Sequence, residues 1–217
     1  DNPKLQASVL IEVSTDENEK YANLDNALIL GTDRVIGMKN LNLLADMTVK
    51  AKEDVDAGYF TDDMIKKFPS KPSCVIVMLG SKNPSKTGIA CMKKLLDKLK
   101  DKYPSRKIYV IRELHLGSSY DKSLGSYAAI NKEIENFNED IRSYCNANNL
   151  ISLDASKNLE IASLLNATYA PDGFNLDDNG NRILFNNIKD LILDDINPDK
   201  DKDDDKDKDD NKDKKTT

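Results

Sequence analysis

The chain has a single histidine and only three cysteines, and each scarcity excludes some chemistry. Cys74, Cys91 and Cys145 stand far apart, with no Cys-x-x-Cys pair and no cysteine beside His115. That spacing does not make a zinc site, and an odd number does not close a disulfide framework. Each cysteine falls in an apolar or helical pattern and is expected to serve as a small buried hydrophobe. Long apolar runs are missing as well. Stretches such as Ala27–Leu30 and Val75–Leu79 fall far short of the roughly 20 residues that span a bilayer, so membrane insertion is not expected. The third absence is a surplus of positive charge. Formal net charge is −6 and the pI is near 5.0, whereas a nucleic-acid partner would need a basic face. The acidity is expected to serve solubility. The chain opens Asp1-Asn2-Pro3 without an apolar leader, as expected of a processed form or an excised segment. No pattern for a cofactor or a metal is found.

What is present points to one globular unit. Apolar residues make up 39% of 217 positions, enough for a single sizeable core. From about Asn197 the composition changes, and Asp199 to Lys215 alternates Asp and Lys without one apolar residue. Burial cannot offset the ordering entropy of such a stretch, so residues 197–217 are expected to be a disordered tail or linker. Asp199, Asp201 and Asp203 have the spacing of a calcium loop but lack its central Gly and closing Glu. Residues 1–24 form an extension in which Val9, Ile11 and Val13 alternate with polar neighbours, the pattern of an added strand. The domain itself is expected over residues 25–196.

Inside it, short apolar runs alternate with helical spacings. Strands are predicted at Ala27–Leu30, Met47–Ala51, Cys74–Leu79, Ile108–Ile111 and Leu150–Leu153. Helices are predicted to close at Ile65–Phe68, to run over Ile89–Leu99 and Ile130–Cys145, and to run from just after Asp178-Asn179-Gly180 through Ile192. Strands separated by helices imply right-handed crossovers, hence an α/β three-layer α/β/α sandwich on a mostly parallel five-stranded sheet. Ligands of such sheets sit beyond the carboxyl ends of the strands. The loops expected there are Gly31–Arg34, Gly80–Asn83, the stretch after Ile111, and Asp172–Asp178.

Those loops carry a resemblance. Leu30-Gly31-Thr32-Asp33-Arg34-Val35-Ile36-Gly37-Met38 resembles the first block of the SGNH (GDSL-type) hydrolases, which often reads Gly-Asp-Ser-Arg, a small apolar pair and Gly-Met. Ala57-Gly58-Tyr59 resembles the second block, and Leu79-Gly80-Ser81-Lys82-Asn83 the third, Gly-x-Asn-Asp. Asp172-Gly173-Phe174-Asn175 followed by a helix start resembles the fifth, Asp-Gly-x-His. The four blocks span roughly Ala27 to Ile192 in the right order. The resemblance implies an SGNH/flavodoxin-like fold and acyl transfer. A first-block serine attacks a carbonyl, and a fifth-block His, oriented by the fifth-block Asp, takes its proton. The second-block Gly amide and the third-block Asn hold the oxyanion.

This chain keeps Asp172 and Gly58 and departs at three other positions. Asp33 stands at the serine position, Asn175 at the histidine and Lys82 at the asparagine, with Asn83 one residue on as a substitute donor. A carboxylate at 33 would repel an oxyanion forming beside it, and an amide at 175 cannot carry a proton at neutral pH. Asp33 and Lys82 are expected to pair and fill the nucleophile site. Ser81, Ser118 and Ser119 are expected to be ordinary loop serines, and His115 a surface histidine. His115, Tyr59, Asn83 and Phe174 are the candidate ligand-binding residues. The expected function is therefore a degenerate, catalytically inactive SGNH-like domain that serves as a binding or structural module, with a cell-wall or surface glycan or another protein domain as the expected partner. Its expected setting is extracellular, on a bacterial or phage surface. A divergent ester or acetyl hydrolase with a non-standard residue set is the alternative.

Overall fold

The computed structural model describes residues 24–120 and 126–196, together with Pro198. The strand expected over Val9–Val13 and the tail beyond Pro198 lie outside the described residues.

Three of the apolar runs become central strands: β1 (Leu28–Gly31), β3 (Val75–Met78) and β4 (Ile108–Ile111), buried at every position. A strand covered on both faces can be apolar throughout, and these alternate their residues between two cores. Leu28, Leu30, Val75, Val77, Ile108 and Val110 face one side. Ile29, Ile76, Met78, Tyr109 and Ile111 face the other. The edge strands β2 (Thr48–Ala51) and β5 (Ile151–Leu153) are half-buried. The five strands are parallel and ordered β2-β1-β3-β4-β5, the flavodoxin-like winding.

On the first face lie α2 (Asp62–Lys66), α3 (Lys86–Lys102) and α4 (Tyr127–Ala147), which contribute Ile65, then Met92, Leu95, Leu96 and Leu99, then Phe137, Ile141 and Cys145. On the second lie α1 (Asp33–Asn40) and α5 (Asp178–Ile196), through Val35 and Met38 and through Leu184, Ile188 and Ile192. Tyr109 buries its ring wholly in that core, and its hydroxyl donates to Asp195 Oδ2 at 2.9 Å. A buried phenol needs such a partner for its polar end.

Two elements differ from the sequence-based expectation. Helix α1 starts directly at Asp33, where a loop is expected. A small hairpin, β6 (Glu160–Ile161) with β7 (Leu164–Leu165), is added after β5. Its two-residue turn places Ala162 and Ser163 at φ 50° and 58°, a conformation that usually advertises itself with Asn or Gly. Among the described residues, no helix is long and apolar enough to cross a membrane.

Candidate functional site

Thr32, Asp33 and Arg34 leave the carboxyl end of β1, and the β2 exit brings Asp54 and Asp56 alongside. Asp33 opens α1, where a carboxylate is favoured by the helix dipole. Its Oδ2 accepts from the Thr32 hydroxyl at 2.7 Å and from the Asp54 N–H at 3.4 Å. Lys82, from the β3 exit, places its ammonium 3.5 Å from the same oxygen and 3.2 Å from Asp54 Oδ1. Partial burial pushes the Asp33 carboxyl up, but the Thr32 hydroxyl, its own N–H, Lys82 and the Asp54 N–H outweigh it and hold it below the ordinary value. Asp33 is thus an ionised, partnered carboxylate. Asp54, which sequence reasoning missed, makes the pair a triad.

The fifth-block loop folds on its own carboxylate. Asp172 Oδ1 accepts the N–H groups of Phe174 and Asn175 at 2.8 and 2.7 Å, and Oδ2 accepts the Asn175 side-chain amide at 2.8 Å. Burial pushes Asp172 up, and these bonds more than reverse it. Gly173 sits at φ +77°, with its Cα side turned to the Tyr120 backbone, so a side chain there would clash. This arrangement puts an amide where a proton carrier would stand, hydrogen-bonded to the carboxylate that would orient it.

Two donors converge on a third carboxylate. The Gly58 N–H donates to Asp56 Oδ1 and the Asn83 amide to Asp56 Oδ2, both at 2.8 Å. Asn83 is fixed in turn by the Ser85 hydroxyl, which donates to its Oδ1 at 2.6 Å while capping α3. Asp56, also missed from sequence, therefore occupies the donors that the resemblance assigns to an oxyanion.

A cleft of about 380 Å³ lies over this edge, lined by Asp54, Ser81, Lys82, Tyr120, Phe174 and Asn175 among others. The Lys82 ammonium stands 4.5 Å and the Arg34 guanidinium 5.4 Å from the Phe174 ring centre, and Tyr120 lies 6.3 Å away. Beneath them Arg34 and Glu113 form a buried ion pair at 3.1 Å, with side chains 5% and 2% exposed. Burial pushes the Glu113 carboxyl above its ordinary value, and the neighbouring Arg34 and the hydrogen bonds of Ser81 oppose this only in part.

Not every candidate converges here. Tyr59 packs on Phe60 with Lys52 over its ring at 4.9 Å, outside the cleft lining. His115 is not on the surface as expected; it is 2% exposed. Its Nδ1 lies 3.0 Å from Glu160 and 3.2 Å from Arg112, and its Nε2 is 3.8 Å from Glu135. Glu160 comes from the unforeseen hairpin, and the ring's partners are thus Glu160, Arg112 and Glu135, while His115 is not among the residues lining the cleft. Among the described residues no group of His, Cys, Asp and Glu is placed to hold a metal ion.

No protein-family model matches the chain, and no curated protein matches it either. Solved structures do. A provisionally named platelet activating factor from Streptococcus pneumonia superposes with a TM-score of 0.66 at 16% identity, over 81% of this chain and 90% of that one. A GDSL-like lipase from Bacteroides thetaiotaomicron gives 0.63 at 14%, over 81% and 94%. A member of the lipolytic protein G-D-S-L family from Veillonella parvula gives 0.57 at 10%, over 76% and 97%. At these identities the likeness is one of fold, and the fold is SGNH-like.

Proposed function

We propose that this SGNH-fold domain has lost acyl transfer and serves as a binding module, with the cleft over the carboxyl edge as its ligand site. One observation carries the reading: Asp33 is held by Lys82 where the fold's nucleophile is expected. The Asp172–Asn175 pair and the Asp56 carboxylate on Gly58 and Asn83 extend it to the other two parts of the machinery. Nucleophile, base and oxyanion donors act as a unit, and losing one already removes most of the rate. A surface or cell-wall glycan is the proposed ligand class, since the cleft offers Tyr120 and Phe174 beside polar groups. Exposure on a bacterial or phage surface is the proposed setting.

One feature favours the alternative, a divergent ester hydrolase. Ser81 lines the cleft and hydrogen-bonds to Glu113. Glu113 is already engaged, however, its Oε2 accepting from Arg34 Nη1 at 3.1 Å. Hydrolysis of p-nitrophenyl acetate, run beside a glycan array and a cell-wall pull-down on the same sample, decides between the two. The binding module predicts no turnover and specific retention. Turnover abolished by Ser81→Ala would establish the hydrolase instead.

A further inference from the structure

Arg34 uses its guanidinium unevenly. Nη1 donates to Glu113 Oε2, while Nε and Nη2, the edge with two parallel donors, have no hydrogen-bond partner among the described residues. Glu113 Oε1 is likewise buried without one. A buried charged donor left unmatched costs more than a neutral one, so this constellation calls for a partner. Both members of the pair lie one side chain below the cleft. The Phe174 ring covers Arg34, Ser81 bonds to Glu113, and Phe174 and Ser81 both line the cleft.

The charges decide what the partner is. Glu113 neutralises Arg34 directly. Asp33 and Glu160 also reach Arg34 electrostatically, and each has its own cation, Lys82 for Asp33 and Arg112 for Glu160. Among the described residues around Arg34 no positive charge is left over for an anion, and a further carboxylate would join those of Glu113, Asp33, Glu160, Asp54 and Asp172. A neutral group with two acceptor oxygens and one hydroxyl donor matches the two N–H groups and Oε1 without adding charge. Two adjacent hydroxyls of a sugar ring have that pattern, and a sugar beside Tyr120 and Phe174 is in reach of it.

We infer that the Arg34–Glu113 pair, with Arg34 Nε and Nη2 and Glu113 Oε1, is the polar anchor of the cleft for two adjacent hydroxyls of a neutral sugar. The ligand reaches it when the half-buried Phe174 ring turns aside, a side-chain rotation. The inference rests on the binding-module reading and names its ligand as uncharged.

The test is a titration of the full chain, uniformly labelled with 15N, by cellobiose, lactose and N,N′-diacetylchitobiose, with digalacturonate as the anionic control. The Arg34 Nε–H resonance is the readout, with the amides of Ser81, Lys82 and Tyr120 reporting on the cleft. A neutral disaccharide is expected to shift Arg34 saturably. Arg34→Lys keeps a cation for Glu113 but loses the parallel donors, and should weaken that binding at least about tenfold. If Arg34→Lys does not fold, the wild-type titration decides alone. Shifts of the cleft amides without Arg34 would overturn the anchor and leave the binding-module reading standing. A shift of Arg34 by digalacturonate alone would overturn the neutral-ligand assignment. Silence of every resonance with every sugar would overturn both, and so would an Arg34→Lys variant that folds and binds as the parent does.

Discussion

Lys82 answers two carboxylates, and that changes what single substitutions do. Asp33→Ser leaves the ammonium with Asp54 at 3.2 Å, so no charge is stranded. The Asp33–Lys82 pair is partly solvated, with side chains 21% and 25% exposed. The expected loss is therefore at most about 1 kcal/mol, read as a small fall in the urea midpoint at unchanged slope. Arg34→Met is the contrasting case, because it leaves Glu113, 2% exposed, without its cation, so that the carboxyl must either take up a proton or remain an unpaired buried charge. It should cost about 3–5 kcal/mol in the same measurement. The sequence carries the first block well enough to place Asp33 and Lys82 together, because both flank recognisable strand ends. It says nothing of Asp54, Asp56 or Glu113, whose importance comes from which loops fold over which. A buried charge looks like any other Glu until its burial is known. His115 was misplaced for the same reason: its partner Glu160 arrives on a hairpin whose turn has neither Asn nor Gly.

At the scale of elements, apolar periodicity reveals the strands to within a residue, since burial on two faces demands it. It also reveals the cores of the longer helices, whose ends run two to four residues further because terminal turns are more solvated. Helix α1 was not legible, because its eight residues hold a Gly and only Val35 and Met38 of its apolar residues lie in the core. Gly37 is there for packing: a Cβ on it would stand 2.7 Å from Asn181 Oδ1 on α5. The first turn of α3 makes a sharper case. A Cβ at Gly88 would lie 1.7 Å from the Asn83 carbonyl oxygen, so Gly88→Ala must push the Asn83 loop outward. A cost of about 1–3 kcal/mol is expected, despite the better helix propensity of Ala. The displacement should also loosen the Asn83–Asp56 bond, visible as a shift of the Asn83 side-chain amide in an NMR spectrum. An unchanged amide with full stability would show that the loop yields freely.

For the whole molecule, acid tests the loops together and reconstruction tests their convergence. Asp33, Asp154, Glu160 and Asp172 all have folded-state values below the ordinary ones: burial raises each, but hydrogen bonds prevail, joined by a neighbouring cation at all but Asp172. Depressed values mean stability that is present above the unfolded values near 4 and lost as pH falls through the folded ones. Urea midpoints should therefore be level above about pH 5 and drop steadily below pH 4. Reconstruction asks whether only the chemistry is missing. Asp33→Ser supplies a nucleophile, and Asn175→His places an imidazole where the amide already meets Asp172 at 2.8 Å. Those two changes are not sufficient, because the Asp56 carboxylate still sits on the Gly58 and Asn83 donors and would repel a developing oxyanion. Asp56→Ala frees both donors, at a cost of about 1 kcal/mol for the lost turn cap. Lys82→Asn, the change that the first-block and third-block comparison would suggest, is unnecessary, since Asn83 already takes the donor position. The expected order of p-nitrophenyl acetate turnover is none for the parent, none for any single variant, a trace for Asp33→Ser with Asn175→His, and clear turnover only when Asp56→Ala is added. A folded triple variant with no turnover would mean that these loops do not converge on a single reacting carbonyl. Equal turnover with and without Asp56→Ala would mean that Asp56 never blocked it.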